Sequence, residues 1–569
     1  MKLQFAEIFE SEKNGILEDV SLFSGIKKLI RSLLYVVPLV VTATLAYWYI
    51  IVYQPISIDA LSVDRYIHGM LIGQGRLTQT IVGQIINLES HNFALYDTIG
   101  LVLLLIAILV IGVVLDNIIK PKNLFPIMIF SCLYITYPLM YEYFIFGACL
   151  LATGGATLFI ALALYFSLKK QRKLYHLILS TVLIMFALSW YESFVLAYIC
   201  VLCLVLVLWY YKNPNLEKKS KTIFNIMLLQ ATIVMFVIIL NYTTVEIVKY
   251  IFSIPSNYFA AKGSAWGNFN TLSESVNYFL SSIVKDSVSK VFCYFPFTLL
   301  YIAYFVLLVI IIIDLVKHKD FMLLIIELGM FATTIMFTVY MGVVSPYRIE
   351  MAWGPFISGV FLLALTKIMA LDKKKVTSVA YVLLVAAIAG QCVSLNISQR
   401  NENARYINEV SVIESIESNP IIKKNTDKPV VFIGRYNFPN EINKRYLIKE
   451  NSIAYKIYDW GVDIGNIHET NAEYRKYYSI GKSYLAWGID AFGEANTENY
   501  KFAEYLGYSI TPCTKEQYFE ANEIYADIPS YPNDGYIVDT NEYVVVKLGP
   551  VDGNARIRIA DILTRELSK

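Results

Sequence analysis

Residues 33–52 read LLYVVPLVVTATLAYWYIIV, and no charge interrupts them. A helix of about 20 residues rises about 30 Å, the thickness of the hydrocarbon core of a bilayer. LVLLLIAILVIGVVL (101–115) repeats the pattern in the next apolar run. Outward from these two runs, 56% of the 569 residues are hydrophobic and mean hydropathy is +0.52. Water-soluble domains stay below that apolar share. The expected fold class is mainly α, a polytopic helical membrane protein. The formal charge of +2 then says nothing about nucleic acid, and no nucleic-acid partner is expected. What matters is where the charges fall along the chain.

The apolar runs predict about eleven spans, near 28–53, 94–119, 123–142, 146–168, 173–190, 192–211, 222–245, 292–316, 321–344, 350–370 and 376–397. Basic residues test the count. Lys27, Lys28 and Arg31 precede the first span, and Lys120 and Lys122 follow the second. KKQRK (169–173), KNPNLEKKSK (212–221), KHK (317–319) and DKKK (372–375) follow the fourth, sixth, eighth and tenth. Every second boundary is thus basic, and basic loops stay in the cytoplasm. The N-terminus is expected inside and the C-terminus outside. Residues 1–27 are read as a cytoplasmic or interfacial segment, 28–397 as the membrane domain, and 398–569 as a small α/β domain outside. Within the last, PVVFIG (429–434) reads as a strand, GYIVDTNEYVVVKLG (535–549) as a hairpin, and TKEQYFEANEIYA (514–526) as a helix capped by Thr514. A separate helix is expected near 403–418.

Charge inside the apolar half concentrates in SIDALSVDRYIHGMLIGQGRLTQTIVGQIIN (57–87), the first outer loop. Transfer of a group to a hydroxyl needs a base for the proton. Asp59 and Asp64 are the candidates, placed where a lipid-borne donor and a water-borne acceptor could meet. Arg65, Arg76 and Arg348 are expected at the same level, where a guanidinium fork can hold a phosphate. Their plainer role is snorkelling to headgroups. Glu142 and Glu192, with Tyr191, stand at span boundaries and suit sugar hydroxyls, although boundary acids and aromatics also serve as ordinary interface residues. The loop 246–291 reads as a lid carrying Tyr258, Lys262 and Trp266. Residues 70–88 read as amphipathic helices along the outer surface. The seven cysteines and five histidines form no ligand spacing, so no metal and no cofactor is expected, with a divalent cation left open.

Asp59, Arg65, Gly69 and the pair Gly75-Arg76, soon after a first span, resemble a motif of the GT-C membrane glycosyltransferases. Within these the chain resembles the glucosyltransferase family that includes the O-antigen serotype-converting enzymes, over roughly 30–395. The family often has two adjacent acids, whereas Ala60 follows Asp59 here, which leaves open whether Asp59 or Asp64 is the base. The resemblance implies a GT-C-like fold, a polyprenyl-phosphate-linked sugar donor (commonly glucose), a cell-surface glycan acceptor and a bacterial cytoplasmic membrane. The competing class is a transporter or flippase of lipid-linked sugars, for which Glu327 inside the ninth span is the main argument. A polymerase or ligase of lipid-linked glycans shares the transferase chemistry.

Overall fold

Each apolar run folds as helix. The computed structural model describes residues 15–58, 60–61, 71–73, 75–86, 92–137, 140–145, 149–214, 216, 219–254, 271, 273–274, 276–277, 295–341, 350–439, 483–489 and 495–551; side chains at 141, 142, 145, 150, 295–298 and 487 fall outside that description. The helices used below are α1 (Leu22–Arg31), α2 (Leu33–Tyr53), α3 (Leu77–Ile85), α4 (Phe93–Ile119), α5 (Phe125–Ile135), α6 (Cys149–Ser167), α7 (Leu174–Leu188) and α8 (Phe194–Lys212). They continue as α9 (Lys219–Phe252), α10 (Phe295–His318), α11 (Phe321–Ala332), α12 (Trp353–Ala370) and α13 (Lys374–Glu417). Among the described residues, seven helices are long and apolar enough to cross a membrane, and α5, α6, α7 and α11 are shorter apolar helices.

Two expected spans are divided. The run 123–142 yields α5 and then Met140–Ile145. The run 321–344 yields α11 and then Met336–Met341. At the second break, Thr333 and Thr334 donate their hydroxyls to Met330 O and Phe331 O, both at 2.7 Å. Such back-bonding competes with the helical ladder and bends it. Elsewhere two expected elements are one. The span at 376–397 and the helix near 403–418 form the continuous 44-residue α13.

The bundle is apolar outside as well as inside. Phe236, Ile239, Phe305 and Ile312 are exposed, as lipid-facing positions would be. Where helices must approach closely, glycine allows it. A Cβ on Gly154 of α6 would stand 2.1 Å from Gly100 O of α4.

The basic loops gather in two groups. Ile16 and Leu17 donate backbone N–H to Leu168 O, and Lys170 N–H donates to Leu17 O at 2.8 Å. Beside them Lys28 pairs with Asp116 and Lys120 with Glu18, each at 2.5 Å. The second group joins the ends of α8, α10 and α12. Lys367 Nζ lies 2.5 Å from Asp314, and Tyr210 and Ser220 donate to Asp320 at 2.8 and 2.7 Å. Asp320 also caps α11 through Met322 N–H.

The last part of the chain carries a three-stranded sheet. β1 (Val430–Ile433) pairs in parallel with β3 (Val544–Lys547), which pairs antiparallel with β2 (Ile537–Asp539) in the order β1-β3-β2. The hairpin turns at Thr540, whose N–H bonds Tyr543 O at 3.0 Å. The helix Lys515–Ile524 has a full capping box with Thr514 and Gln517. Ile56, Ile58, Ala60, Leu61, Phe93 and Tyr96 share one apolar cluster with this sheet and with Val412, Ile413 and Ile416 of α13. The segment around 56–61 therefore packs against the sheet-bearing last part of the chain.

α13 reaches that part of the chain alongside α2. Asn396 Nδ2 donates to Leu45 O and Gln399 Nε2 to Ala46 O, both at 2.6 Å. Ile50 N–H donates to Gln399 Oε1 at 3.2 Å, and Asn403 Nδ2 to Tyr49 at 3.1 Å. Partner numbers climb together, so the two helices run parallel.

Candidate functional site

The site is built on two turns. The first ends the short helix Leu71–Gly73: Gly75 N–H bonds Ile72 O at 2.9 Å and Arg76 N–H bonds Leu71 O at 2.8 Å. Gly75 sits at φ +83°, a backbone that side chains resist. A Cβ there would also come 3.8 Å from Glu192 Oε1. The second turn, 189–193, joins α7 to α8. It is wedged from below, because Trp190 lies where a Cβ on Gly155 of α6 would come within 2.5 Å. The turns are joined: Thr78 N–H donates to Ser189 O at 3.2 Å, and their hydroxyls hydrogen-bond each other.

This joint brings together Arg76, Tyr191 and Glu192, three residues expected at the site. Arg76 Cζ lies 4.1 Å from the centre of the Tyr191 ring. Cation–π attraction of this kind is worth about 0.5–2 kcal/mol, more where water is excluded. Glu192 is half-buried, and burial pushes its carboxyl above the usual 4.5 while the Arg76 guanidinium pulls it back down. Arg76 Nε is buried and has no hydrogen-bond partner among the described residues. An N–H left so is costly unless something outside the chain accepts from it. A charged fork, an aromatic face and a protonatable carboxyl together suit a phosphate beside a sugar.

The site lies away from the basic loops. Lys212 ends α8 near Asp320, whereas Glu192 precedes its start, and the 19 residues of α8 span about 28 Å. Ile86, just past α3, packs on the apolar cluster that holds Ile58 and Ala60, and Tyr96 donates to Ile86 O at 3.4 Å. Arg76 and the loop that bears Asp59 are thus at one end of the bundle.

Asp59, Asp64, Arg65, Arg348, Tyr258, Lys262 and Trp266 lie outside the described residues, as does the side chain of Glu142, which is on the helix Met140–Ile145. α3 falls within the segment read as amphipathic helices. Its exposed residues include Ile81 and Ile85, and its buried ones are Thr78, Thr80 and Gly83. The exposed isoleucines, with Gln84 beside them, suit a helix at a lipid boundary, and the small residues Thr78, Thr80 and Gly83 face the bundle.

Sequence reasoning passed over Asp97 and the group around Arg405. Asp97 is buried in the first turns of α4, and its Oδ1 has no partner among the described residues. A single acid in FALYDTIG, just inside an apolar run, was the available signal. Glu327 takes a different place from that expected of a transport residue. It is buried and accepts from Tyr211 at 3.1 Å, while Tyr211 also bonds Asp314, the partner of Lys367. Seven residues after the Asp320 cap, it is about 10 Å along α11 from the basic end. Among the described residues no three His, Cys, Asp or Glu side chains are grouped to hold a metal.

Comparison with curated proteins and with solved structures gave no match. Comparison with family models matched the glucosyl transferase GtrII family over residues 48–362, more than half of the 569 residues. That range includes α3, the 189–193 turn and most of the apolar bundle, from the end of α2 into α12. With Arg76, Tyr191 and Glu192 inside it, the chain belongs to the glucosyl transferase GtrII family and is a membrane glycosyltransferase.

Proposed function

We propose that the chain transfers glucose from a polyprenyl-phosphate-linked donor to a cell-surface glycan on the outer face of a bacterial cytoplasmic membrane. The observation that carries this reading is the Arg76–Tyr191–Glu192 group at the bundle end remote from the basic loops. In this reading the eleven apolar helices are spans, the basic loops face the cytoplasm, and residues 398–569 lie outside. Arg76, with Arg65 and Arg348, holds the donor phosphate. Tyr191 and Glu192, with Glu142, Tyr258, Lys262 and Trp266, hold the sugar and the acceptor.

The acceptor hydroxyl oxygen forms the new bond to the sugar's anomeric carbon. The bond from that carbon to the phosphate oxygen breaks, and polyprenyl phosphate leaves with the electron pair. The hydroxyl proton passes to Asp59, with Asp64 as the supporting acid. General base assistance is worth roughly 10²–10⁴-fold, and the arginines offset the charge that grows on the leaving phosphate.

The test is donor consumption by purified Asp59→Asn and Asp64→Asn proteins. Loss in Asp59→Asn with retained donor binding supports the assignment; loss only in Asp64→Asn reverses it. Glu327, on which a transporter reading would rest, is tied into a network near the basic end, so transfer is preferred.

A further inference from the structure

Two side chains from beyond the family match grip the backbone on both sides of residue 59. Arg405 of α13 is fully buried. Its Nη2 donates to Ile56 O at 2.8 Å, its Nε to Glu402 at 3.0 Å, and its Nη1 to Glu409. Glu409 in turn accepts from Ser483 Oγ at 2.5 Å and from Leu485 N–H at 3.0 Å. Between those two residues stands Tyr484, also fully buried. Its hydroxyl donates to Ser57 O at 2.5 Å and accepts from Leu61 N–H at 3.3 Å. Its ring stacks on Phe502 with centroids 4.6 Å apart and planes 1° from parallel. A turn closes within the gripped segment, where Ala60 N–H bonds Ser57 O at 2.8 Å.

The arrangement does more than fill a core. Apolar contact from Ile56, Ile58 and Leu61 would hold the loop against the domain without fixing its register. The hydrogen bonds to 56 O, 57 O and 61 N–H do fix it, because each is directional, with a narrow angular range. Arginine suits position 405, because its planar fork spreads separate donors to one carbonyl and two carboxylates at once, where a lysine ammonium would have to gather all three at one point. Neither residue lies in the matched range 48–362.

We propose that Arg405 and Tyr484 are positioning residues, through which the last part of the chain sets the backbone at 56–58 and 60–61 and so holds the loop that bears Asp59. The proposal rests on the reading of Asp59 as the base. Misplacing a reacting group by about 1 Å can cost on the order of 10²-fold in rate.

The test uses the full-length protein in lipid nanodiscs, with Tyr484→Phe, Arg405→Lys and Arg405→Met. Hydrogen exchange of the peptide covering 56–61 is read alongside kcat and KM for consumption of glucose-labelled polyprenyl phosphate, with water as acceptor. Tyr484→Phe removes a single oxygen and keeps the stacked ring, so it remains informative if the Arg405 variants fail to fold. The expected result is faster exchange at 60–61, a fall in kcat of about 10- to 100-fold, and KM within about threefold of the parent. Unchanged exchange, or faster exchange with full kcat, would overturn the proposal. If Asp59→Asn keeps its turnover while Tyr484→Phe loses it, the positioning role stands and the base is elsewhere on the loop.

Discussion

Arg76 makes its case through what it lacks as much as through what it touches. Its Nε is buried without a described acceptor, while its guanidinium lies on Tyr191. Arg76→Lys keeps the charge but loses the planar fork and the stack. Donor affinity, read by equilibrium binding of the labelled donor, should fall about tenfold or more, corresponding to at least about 1.4 kcal/mol. Glu192 supplies a pH signature. Its carboxyl is raised by burial, so the folded protein holds the proton more tightly than the unfolded chain. That contribution to stability is full below the ordinary carboxylate range and is lost as pH rises through the shifted value. Glu192→Gln should flatten this part of the curve of melting temperature against pH, and an unchanged curve would mean that Glu192 is ordinarily solvated. Arg76 and Glu192 were legible in the sequence because charge at the rim of an apolar run is conspicuous. Arg405 was not, since Glu402, Arg405 and Glu409 on a helix beyond the last span read as a solvated face with i, i+3 and i, i+4 pairs. Only the packing of the loop and the domain upon that face removes water from it.

At the scale of elements, length and periodicity carried most of the reading. The apolar runs became helices, Thr514 became a cap, and 535–549 became a hairpin, because each rests on interactions within a few residues. The misreadings have a common cause in tertiary environment. The runs 123–142 and 321–344 were read as unbroken, and α13 was cut at the change of composition near 398 although helix propensity does not change there. The close crossing of α4 and α6 gives a prediction at this scale. Gly154→Ala sets a methyl group against Gly100 O, so the helices must separate. Overpacking of this kind costs about 1–3 kcal/mol and should lower the melting temperature of the purified protein. Gly75→Ala acts more locally, at about 1–2 kcal/mol for its left-handed backbone. Its test is donor binding, because the strained turn carries Arg76.

Taken whole, the molecule joins an apolar helical bundle, most of it within the family match, to a sheet-bearing stretch that lies outside that match. The apolar cluster of Ile56, Ile58, Val431 and Val545 spans that division. A chain ending at residue 400 would lose Arg405, Glu409 and Tyr484 together. Donor consumption by it should fall at least as far as in Arg405→Met, while the site of Arg76 and Tyr191 should still bind donor. Equal loss of binding would show that the domain supports the bundle as a whole rather than the loop.

Because α13 is unbroken from Lys374 to Glu417, it fixes azimuth and height at once. Its polar rungs to α2 end at Asn403 and its grip on the loop begins at Arg405. One residue inserted at 404 would keep the rungs but swing the guanidinium about 100° around the axis. Seven inserted residues would restore the azimuth and lift the domain about 10 Å, beyond the reach of Ile56. A flexible connection absorbs such insertions at little cost, but a helical rod converts each into a rotation or a displacement. Between Asn403 and Arg405 the chain should therefore tolerate no change of length, and an insertion series at that point, scored by donor consumption, should show no recovery at any phase.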